Sequence, residues 1–560
     1  MSSELAERLG ESKAAIAEVF RNPGLRKVNV ALAGSIMGDW AYAVAVSVYA
    51  YRHGGATAVG VYGVARYISM AVASPFTSML ADRYDRKHVM VVADGIRFVL
   101  VAVAALVIAA DGPSLVVYAL GLLTSLAGTA FRPAQAALLP KLANHPAELT
   151  AANVAASTIE SVGFFAGPAV AGTLLALADV AIVFGFNAAT FLWSGLLVTT
   201  LHVPVRATDA LEVDSVDEEP AAEAPRTSIL AGASLGFREI LASRDLRVLM
   251  SLYCAQTVVA GASLVFGVAI AFEMLGMSES GVGMLDAMVG VGGLVGGFVA
   301  LLLATRGRLA VDFGVGVMLW SAPLLIVVAF PSLAPVLIVM AILGLGNSIV
   351  DINAFTIMQR LVSDEVMGRV FGAVDSALIA GMALGSLAMP LLMHTVGLRT
   401  GLLVVGTSVT ALSLASFGAL RRIDTIALAP DGLGVIRSAA LFAPLPERSI
   451  ERLARCATLV TVPAGEVVMS RGDPGDLYYV IESGQAEVRV TDDLSTVLGP
   501  SEGFGEIALL RDVPRQATVR AATDLTLRAI DRRVFLQVVT GHSETQATAD
   551  RAITRMLVGD

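Results

Sequence analysis

Apolar segments long enough to cross a hydrocarbon core of about 30 Å recur through most of this chain. They fall roughly at 28–51, 57–81, 88–110, 114–140, 148–177 and 180–202, and again at 246–272, 280–304, 311–330, 334–361, 367–396 and 399–420. Hydrocarbon offers no partner to an exposed backbone amide, so uninterrupted runs of this length are helical. The expected fold is an α-helical polytopic membrane protein of twelve transmembrane helices in two six-helix halves, residues 27–202 and 246–422. Composition agrees, because 56% of the 560 residues are hydrophobic and only 16% charged, beyond what a soluble chain of this size carries.

The remaining segments are polar. Residues 1–26 read as a cytosolic amphipathic helix (Leu5, Leu9, Ile16 and Phe20 among Arg8, Lys13 and Arg21) without the apolar core of a cleaved signal. Residues 203–245 read as a cytosolic linker with an amphipathic helix, 423–440 as a second linker, and 441–560 as a separate domain. Lys and Arg gather at the N-terminus, at Asp82–His88, Arg132–Lys141 and Arg238–Arg247, and at Arg421 and Arg422. Loops such as Asp111–Ser114 lack them, which places both termini on the cytosolic side of the cell membrane. The net charge of −9 sits largely in soluble parts such as the acidic run between Asp209 and Glu223, and no basic stripe suggests nucleic acid. Cys254 and Cys456 make neither a disulfide framework nor a metal site. No catalytic triad, metal cluster or phosphate loop suggests an enzyme or a cofactor.

In 441–560 short alternating runs are split by turn signals at Pro463–Glu466, Gly472–Asp476 and Ser483-Gly484. This predicts a small β-roll or jelly roll. Strands are expected at Leu477–Ile481 and Ala486–Val490, with a helical lead-in at Leu441–Leu453. A closing helical segment begins at Val534–Val539, and a terminal helix at about Ser543–Leu557 would be its lid. Inside this domain Phe504–Ala521 (FGEIALLRDVPRQATVRA) has the chemistry of an anion cradle. Gly505 admits close backbone approach, Glu506 offers a carboxylate, Arg515 a guanidinium fork, and Ile507, Ala508 and Ala517 their N–H groups. The stretch resembles the phosphate-binding cassette of cyclic nucleotide-binding domains. That resemblance implies Glu506 on the ribose 2′-OH, Arg515 on the cyclic phosphate and Thr518 at the base and phosphate edge. Gln516 stands where cGMP-selective members usually carry a hydroxyl, which favours cAMP as the regulatory ligand.

Between the second and third apolar segments, Ser78–Lys87 (SMLADRYDRK) resembles the signature loop of the major facilitator superfamily, with Ser78 and Asp85 in its two glycine places. The resemblance covers Lys27 to about Arg422. It implies a cytosolic gate in which Asp82, beside Arg83 and Arg86, meets the positive end of a neighbouring helix, joined by Asp94 and Arg97. In the fifth segment Gly163, Gly167, Pro168 and Gly172 resemble a motif of that superfamily's exporters, and Phe131–Ala134 with Leu139-Pro140 is similar to its drug, macrolide and siderophore exporter branch. Gly381, Gly385 and Pro390 repeat the small-residue pattern in the second half. By contrast Gly290–Gly296, although it imitates a nucleotide fingerprint, lies within a span and reads as helix packing.

Ionisable side chains inside spans are costly unless paired or hydrated, and they mark transport paths. Asp39, Arg66 and Glu160 fall near mid-depth, and Arg132, Asp351 and Asp375 nearer the cytosol. Asp39 is the first candidate for proton coupling, with a structural Asp39–Arg66 pair as the alternative. The reading is a secondary transporter, a proton-coupled exporter of a small amphipathic solute regulated by cytosolic cAMP, with protons, membrane lipid and that solute as its partners. Its alternatives are a membrane-anchored cAMP receptor without transport and an unregulated exporter with a degenerate sensor.

Overall fold

The structure, a computed structural model, describes residues 19–144, 146–202, 229–304, 308–362, 364–427, 431–443, 445, 447–491 and 494–539. Most of the expected N-terminal helix, the 203–228 linker and the terminal lid helix therefore lie outside the described residues. The chain divides into two compact units, Met1–Ala427 and Leu428–Asp560.

The first unit is helical. Its elements are α1 (Pro23–Arg83), α2 (Arg86–Ala109), α3 (Ser114–Gly128), α4 (Phe131–Leu142), α5 (Pro146–Leu177), α6 (Val180–Thr199), α7 (Ile229–Ala242) and α8 (Arg244–Ala269). There follow α9 (Glu279–Ala304), α10 (Leu309–Ser321), α11 (Leu324–Ala329), α12 (Leu333–Leu361) and α13 (Asp364–Ala427). Among the described residues, ten of its helical segments are long and apolar enough to cross a membrane. Two of them stand apart: α1 has 61 residues and leaves helical geometry at Gly54 and Gly55, and α13 has 64 and does so at Gly397. At about 1.5 Å per residue either would be roughly 90 Å long if straight, three times a hydrocarbon core. Gly55 and Gly397 have φ of 61° and 81°, a region that side chains with a Cβ avoid.

Glycines set how closely these helices pack. A Cβ on Gly283 of α9 would lie 2.5 Å from the Gly172 backbone and 2.7 Å from the Pro168 carbonyl of α5, so the fifth-segment motif is a seam between the two halves. Gly163 meets Ile36, and Gly167 meets Trp40 with the Met37 carbonyl 2.8 Å away, which seats α5 against α1 as well. Gly60 of α1 abuts Ser386 and Pro390 of α13 in the same way. A Cβ on Gly290 would meet Phe165, one on Gly292 would meet Ala341, and one on Gly296 would lie 2.6 Å from the Leu345 carbonyl, so the nucleotide-like string is packing surface, as its composition suggests. Asp424 at the end of α13 accepts the N–H groups of Ala310 (2.6 Å) and Val311 (3.1 Å), capping α10.

The second unit opens with α14 (Leu433–Ser438) and α15 (Glu447–Cys456). The helical lead-in is thus shorter and later than expected at Leu441–Leu453, because Leu441–Ala443 are in turn conformation. Part of the 423–440 linker is helix: α13 runs to Ala427 and α14 follows. Two antiparallel four-stranded sheets come next, β1 (Thr458–Val462), β8 (Leu525–Asp531), β3 (Leu477–Ser483) and β6 (Gly503–Phe504) in one, β2 (Val467–Met469), β7 (Thr518–Ala521), β4 (Ala486–Thr491) and β5 (Leu494–Leu498) in the other. α16 (Glu506–Arg511) and α17 (Arg532–Val539) complete it. Two-residue periodicity in β3 divides the cores: Tyr478 and Val480 join Phe442, Leu453 and Phe535 under the helices, while Tyr479 and Ile481 join Phe504, Val519 and Leu527 inside the roll.

The seam predicts a contrast between two glycines of α9. Gly283→Val should destabilise the bundle by about 1–3 kcal/mol through overpacking, read as a lower thermal midpoint in detergent. Gly297→Ala, at a position with nothing within 4 Å, should leave the midpoint at or above wild type.

Candidate functional site

The cassette is built where β6 runs into α16. Gly505 caps that helix with φ 100°, and a Cβ there would lie 2.5 Å from Arg515 Nη1 and 3.2 Å from the Leu477 carbonyl, so conformation and space both require glycine. Arg515 is 5% exposed and donates from Nη1 to the Gly505 carbonyl (3.1 Å) and from Nη2 to that of Leu477 (2.7 Å). The guanidinium thus ties the start of α16 to β3, and the rest of its N–H fork remains for an acceptor.

Glu506 is likewise 5% exposed, yet its Oε2 has no hydrogen-bond partner. Burial pushes its carboxyl above the usual glutamate range, against the opposing pull of its own backbone N–H and of Arg515. Such an orphaned acceptor is expensive unless something donates to it. The first turn of α16 leaves the N–H groups of Ile507 and Ala508 without partners inside the helix. Ala508 and Ala517 are buried, and the Thr518 hydroxyl accepts the Arg471 N–H at 3.1 Å. Gln516 is exposed and donates to the Pro514 carbonyl (2.7 Å), so of the expected binding residues it is the one turned away onto the local backbone. The bracing carbonyl of Leu477 carries no side-chain signal that sequence reading could use.

In the helical unit the ionic partners differ from those expected. Asp39 pairs with Arg97, not Arg66: Nη2 of Arg97 lies 2.5 and 2.6 Å from the two carboxylate oxygens. Arg97 also reaches Asp94 (3.5 Å) and Ser35 (3.4 Å), and its guanidinium carbon stands 3.8 Å from the Phe191 ring centroid. Asp94 and Arg97, expected at the loop gate, are therefore buried residues joined to a partly exposed Asp39. An α-helical spacing of three residues puts both on the face that α6 covers with Phe191. The Asp82 side chain lies outside the described residues, and Arg83 is exposed while Arg86 is half-buried. Asp85, in a glycine place of the loop motif, caps α2 by accepting the His88 N–H at 2.9 Å.

Arg132 and Glu160 form an ion pair, which brings two of the expected transport residues together. Asp351 accepts from Tyr253 (2.8 Å) and Asn347 (2.9 Å), and Asn347 in turn accepts from Gln256 (3.2 Å). Sequence reading missed one cluster that links the halves. Arg52 lies 2.7 Å from Glu279 and 3.5 Å from Asp179, and Tyr51 donates to Glu273 while stacking on Phe272 at 5.3 Å. These residues sit at span ends, where a charge looks like ordinary flank, and only the fold reveals that they converge. Both cysteines are free.

The molecule is thus a bundle of long apolar helices followed by a β-roll in which Glu506 and Arg515 are buried. Residues 28–377 match the model of the Major Facilitator Superfamily, and the chain belongs to that superfamily. Residues 459–542 match the cyclic nucleotide-binding domain. Among solved structures the chain is similar to the regulatory domain of Toxoplasma gondii PKA with cAMP, at 27% identity over 19% of this chain and 42% of that chain, TM-score 0.18. It is similar to cAMP-bound PfPKA-R at 32% identity over 19% of this chain and 39% of that one, TM-score 0.18. It is also similar to the N-terminal domain of a transcriptional regulator from Streptomyces coelicolor A3(2), at 32% identity over 22% of this chain and 91% of that one, TM-score 0.19. The chain spans less than half the length of the first two.

The orphaned carboxylate generates a pH-dependent prediction. Below the ordinary glutamate pKa of about 4.3 the group is protonated folded or unfolded and costs nothing. As pH rises the unfolded chain ionises first, which disfavours folding until the raised native pKa is passed. Glu506→Gln should therefore raise the nucleotide-free melting temperature of the C-terminal unit at pH 7–8 and converge with wild type near pH 4. Equal melting curves across that range would contradict the burial argument.

Proposed function

We propose that this protein is a secondary transporter whose helical bundle crosses the membrane twelve times and whose C-terminal unit senses cytosolic cAMP. The breaks at Gly54–Gly55 and Gly397 support the count, since each divides a helix too long for one crossing into two segments that can each span. An even number of crossings, with the basic loops inside, keeps both termini cytosolic. Transport is export of a small amphipathic solute against protons. Asp39, held by Arg97, is the proposed protonation site, and the Arg132–Glu160 pair and Asp351 line the path. The motif in α5 packs helices, and its likeness to the exporter branch supports export only by resemblance.

The observation that carries the sensor reading is the oxygen of Glu506, a residue only 5% exposed, left without a donor among the described residues. A ribose hydroxyl would supply that donor, and the free part of the Arg515 fork would take the cyclic phosphate. Regulation then requires cAMP to bind the inward-facing and outward-facing states with different affinity, because equal affinity shifts nothing.

Calorimetric titration of the purified full-length protein with cAMP and cGMP tests the sensor. Binding of cAMP should weaken by roughly 10- to 150-fold in Arg515→Ala, the equivalent of about 1.5–3 kcal/mol for a charge-assisted contact. Arg515→Lys keeps the charge and separates the loss of phosphate contact from the loss of the brace to Gly505 and Leu477. Solute flux in vesicles should change with cAMP in the wild type and not in Arg515→Ala. Binding without any effect on flux would favour a membrane-anchored receptor, and no binding of either nucleotide would leave a transporter with an inert domain.

A further inference from the structure

We propose that Arg66, Tyr42 and Tyr62 form an anion subsite inside the bundle, and that the transported solute carries a single acidic group, a carboxylate or its equivalent, which binds there. The inference rests on the transporter reading above and names its substrate class.

Tyr62 and Arg66 are four residues apart on α1 and so share one helix face. Tyr42, from the preceding stretch of α1, meets Tyr62 over α3: a carbon added at Gly121 would lie 2.8 Å from the Tyr42 hydroxyl and 2.7 Å from that of Tyr62. The two tyrosines are 7% and 8% exposed; their hydroxyls stand near each other, with Ser125 beside that of Tyr62, but neither has a hydrogen-bond partner within 3.5 Å. Buried tyrosines ordinarily find one. The charge of Arg66 acts on both hydroxyls.

Arg66 has neither ion pair nor hydrogen bond among the described residues, in contrast to Arg52, Arg97 and Arg132, each of which holds a carboxylate. Arginine cannot shed its proton at any relevant pH. The nearest expected counter-ion, Asp39, is taken by Arg97. Two orphaned donors beside an unpaired cation are what an oxyanion satisfies.

Depth selects the source of that anion. Arg66 lies eleven residues beyond Gly55, about 16 Å along the helix and near the middle of a core of about 30 Å. A lipid headgroup stays at the surface, whereas a solute in transit reaches mid-depth.

The test uses the full-length protein in nanodiscs of phosphatidylcholine, which supplies no anionic lipid, and three matched probes: 2-naphthoate, 2-naphthylmethylamine and 2-naphthalenemethanol. Naphthoate should bind at least about ten-fold more tightly than the amine or the alcohol. Arg66→Gln should weaken it by roughly 10- to 100-fold, with Arg66→Lys intermediate. Tyr62→Phe, which preserves the ring and its packing, should weaken it by about 2- to 10-fold with an unchanged melting temperature. Equal binding of the three probes, binding of naphthoate undiminished in Arg66→Gln, or binding of none of them would each overturn the assignment. Naphthoate bound with this mutant pattern but never moved across proteoliposomes would uphold the subsite and overturn only the transport reading.

Discussion

Helices in hydrocarbon have no solvent-driven reason to touch, and what holds this bundle together is close backbone approach at glycine. Gly172 against Gly283 and Gly60 against Ser386 and Pro390 bring the two halves to van der Waals distance along two seams. The seams are narrow and apolar, and they carry no directional bonds of their own. Direction is added by charge at the span ends, where Arg52 reaches Asp179 at the start of α6 in its own half and Glu279 at the start of α9 in the other. Those pairs are partly exposed, and exposed pairs contribute little on their own. Together they make a contact that can open and re-form, which is what a carrier rocking between two states needs.

The sensor unit follows a different logic. Its roll is closed by ordinary β-sheet alternation, with Tyr478 and Tyr479 turned to opposite cores by the two-residue period. The buried Glu506 and Arg515 are then set against that frame at a cost. Glu506 is buried with an oxygen unsatisfied, a local penalty that the surrounding roll tolerates and that a hydroxyl-bearing ligand would relieve.

Much of this was legible from residues alone. Hydropathy located the helices, and Gly54–Gly55 and Gly397 fall in the gaps between the expected spans. Strand alternation located β3 and β4, and the motif's Arg515 and Gly505 are in hydrogen-bond contact while Gln516 turns to the local backbone. Pairing was not legible. Asp39 and Arg66 stand at similar depths in the sequence, yet Asp39 meets Arg97, because the side chain that reaches it is decided by helix rotation and by Phe191 beneath the guanidinium. The cap that Asp424 places on α10, and the cluster around Arg52, likewise join residues far apart in the chain, and local patterns hold no trace of them.

Arg515 already grips two carbonyls, of Gly505 and Leu477, before any ligand is present. Under the proposed reading a phosphate would meet a guanidinium whose orientation these two carbonyls already fix. Binding on this plan is an exchange within a standing network, with little ordering left to do. Preorganisation of that kind would raise affinity and slow release, so that such a site would hold its ligand as the signal falls.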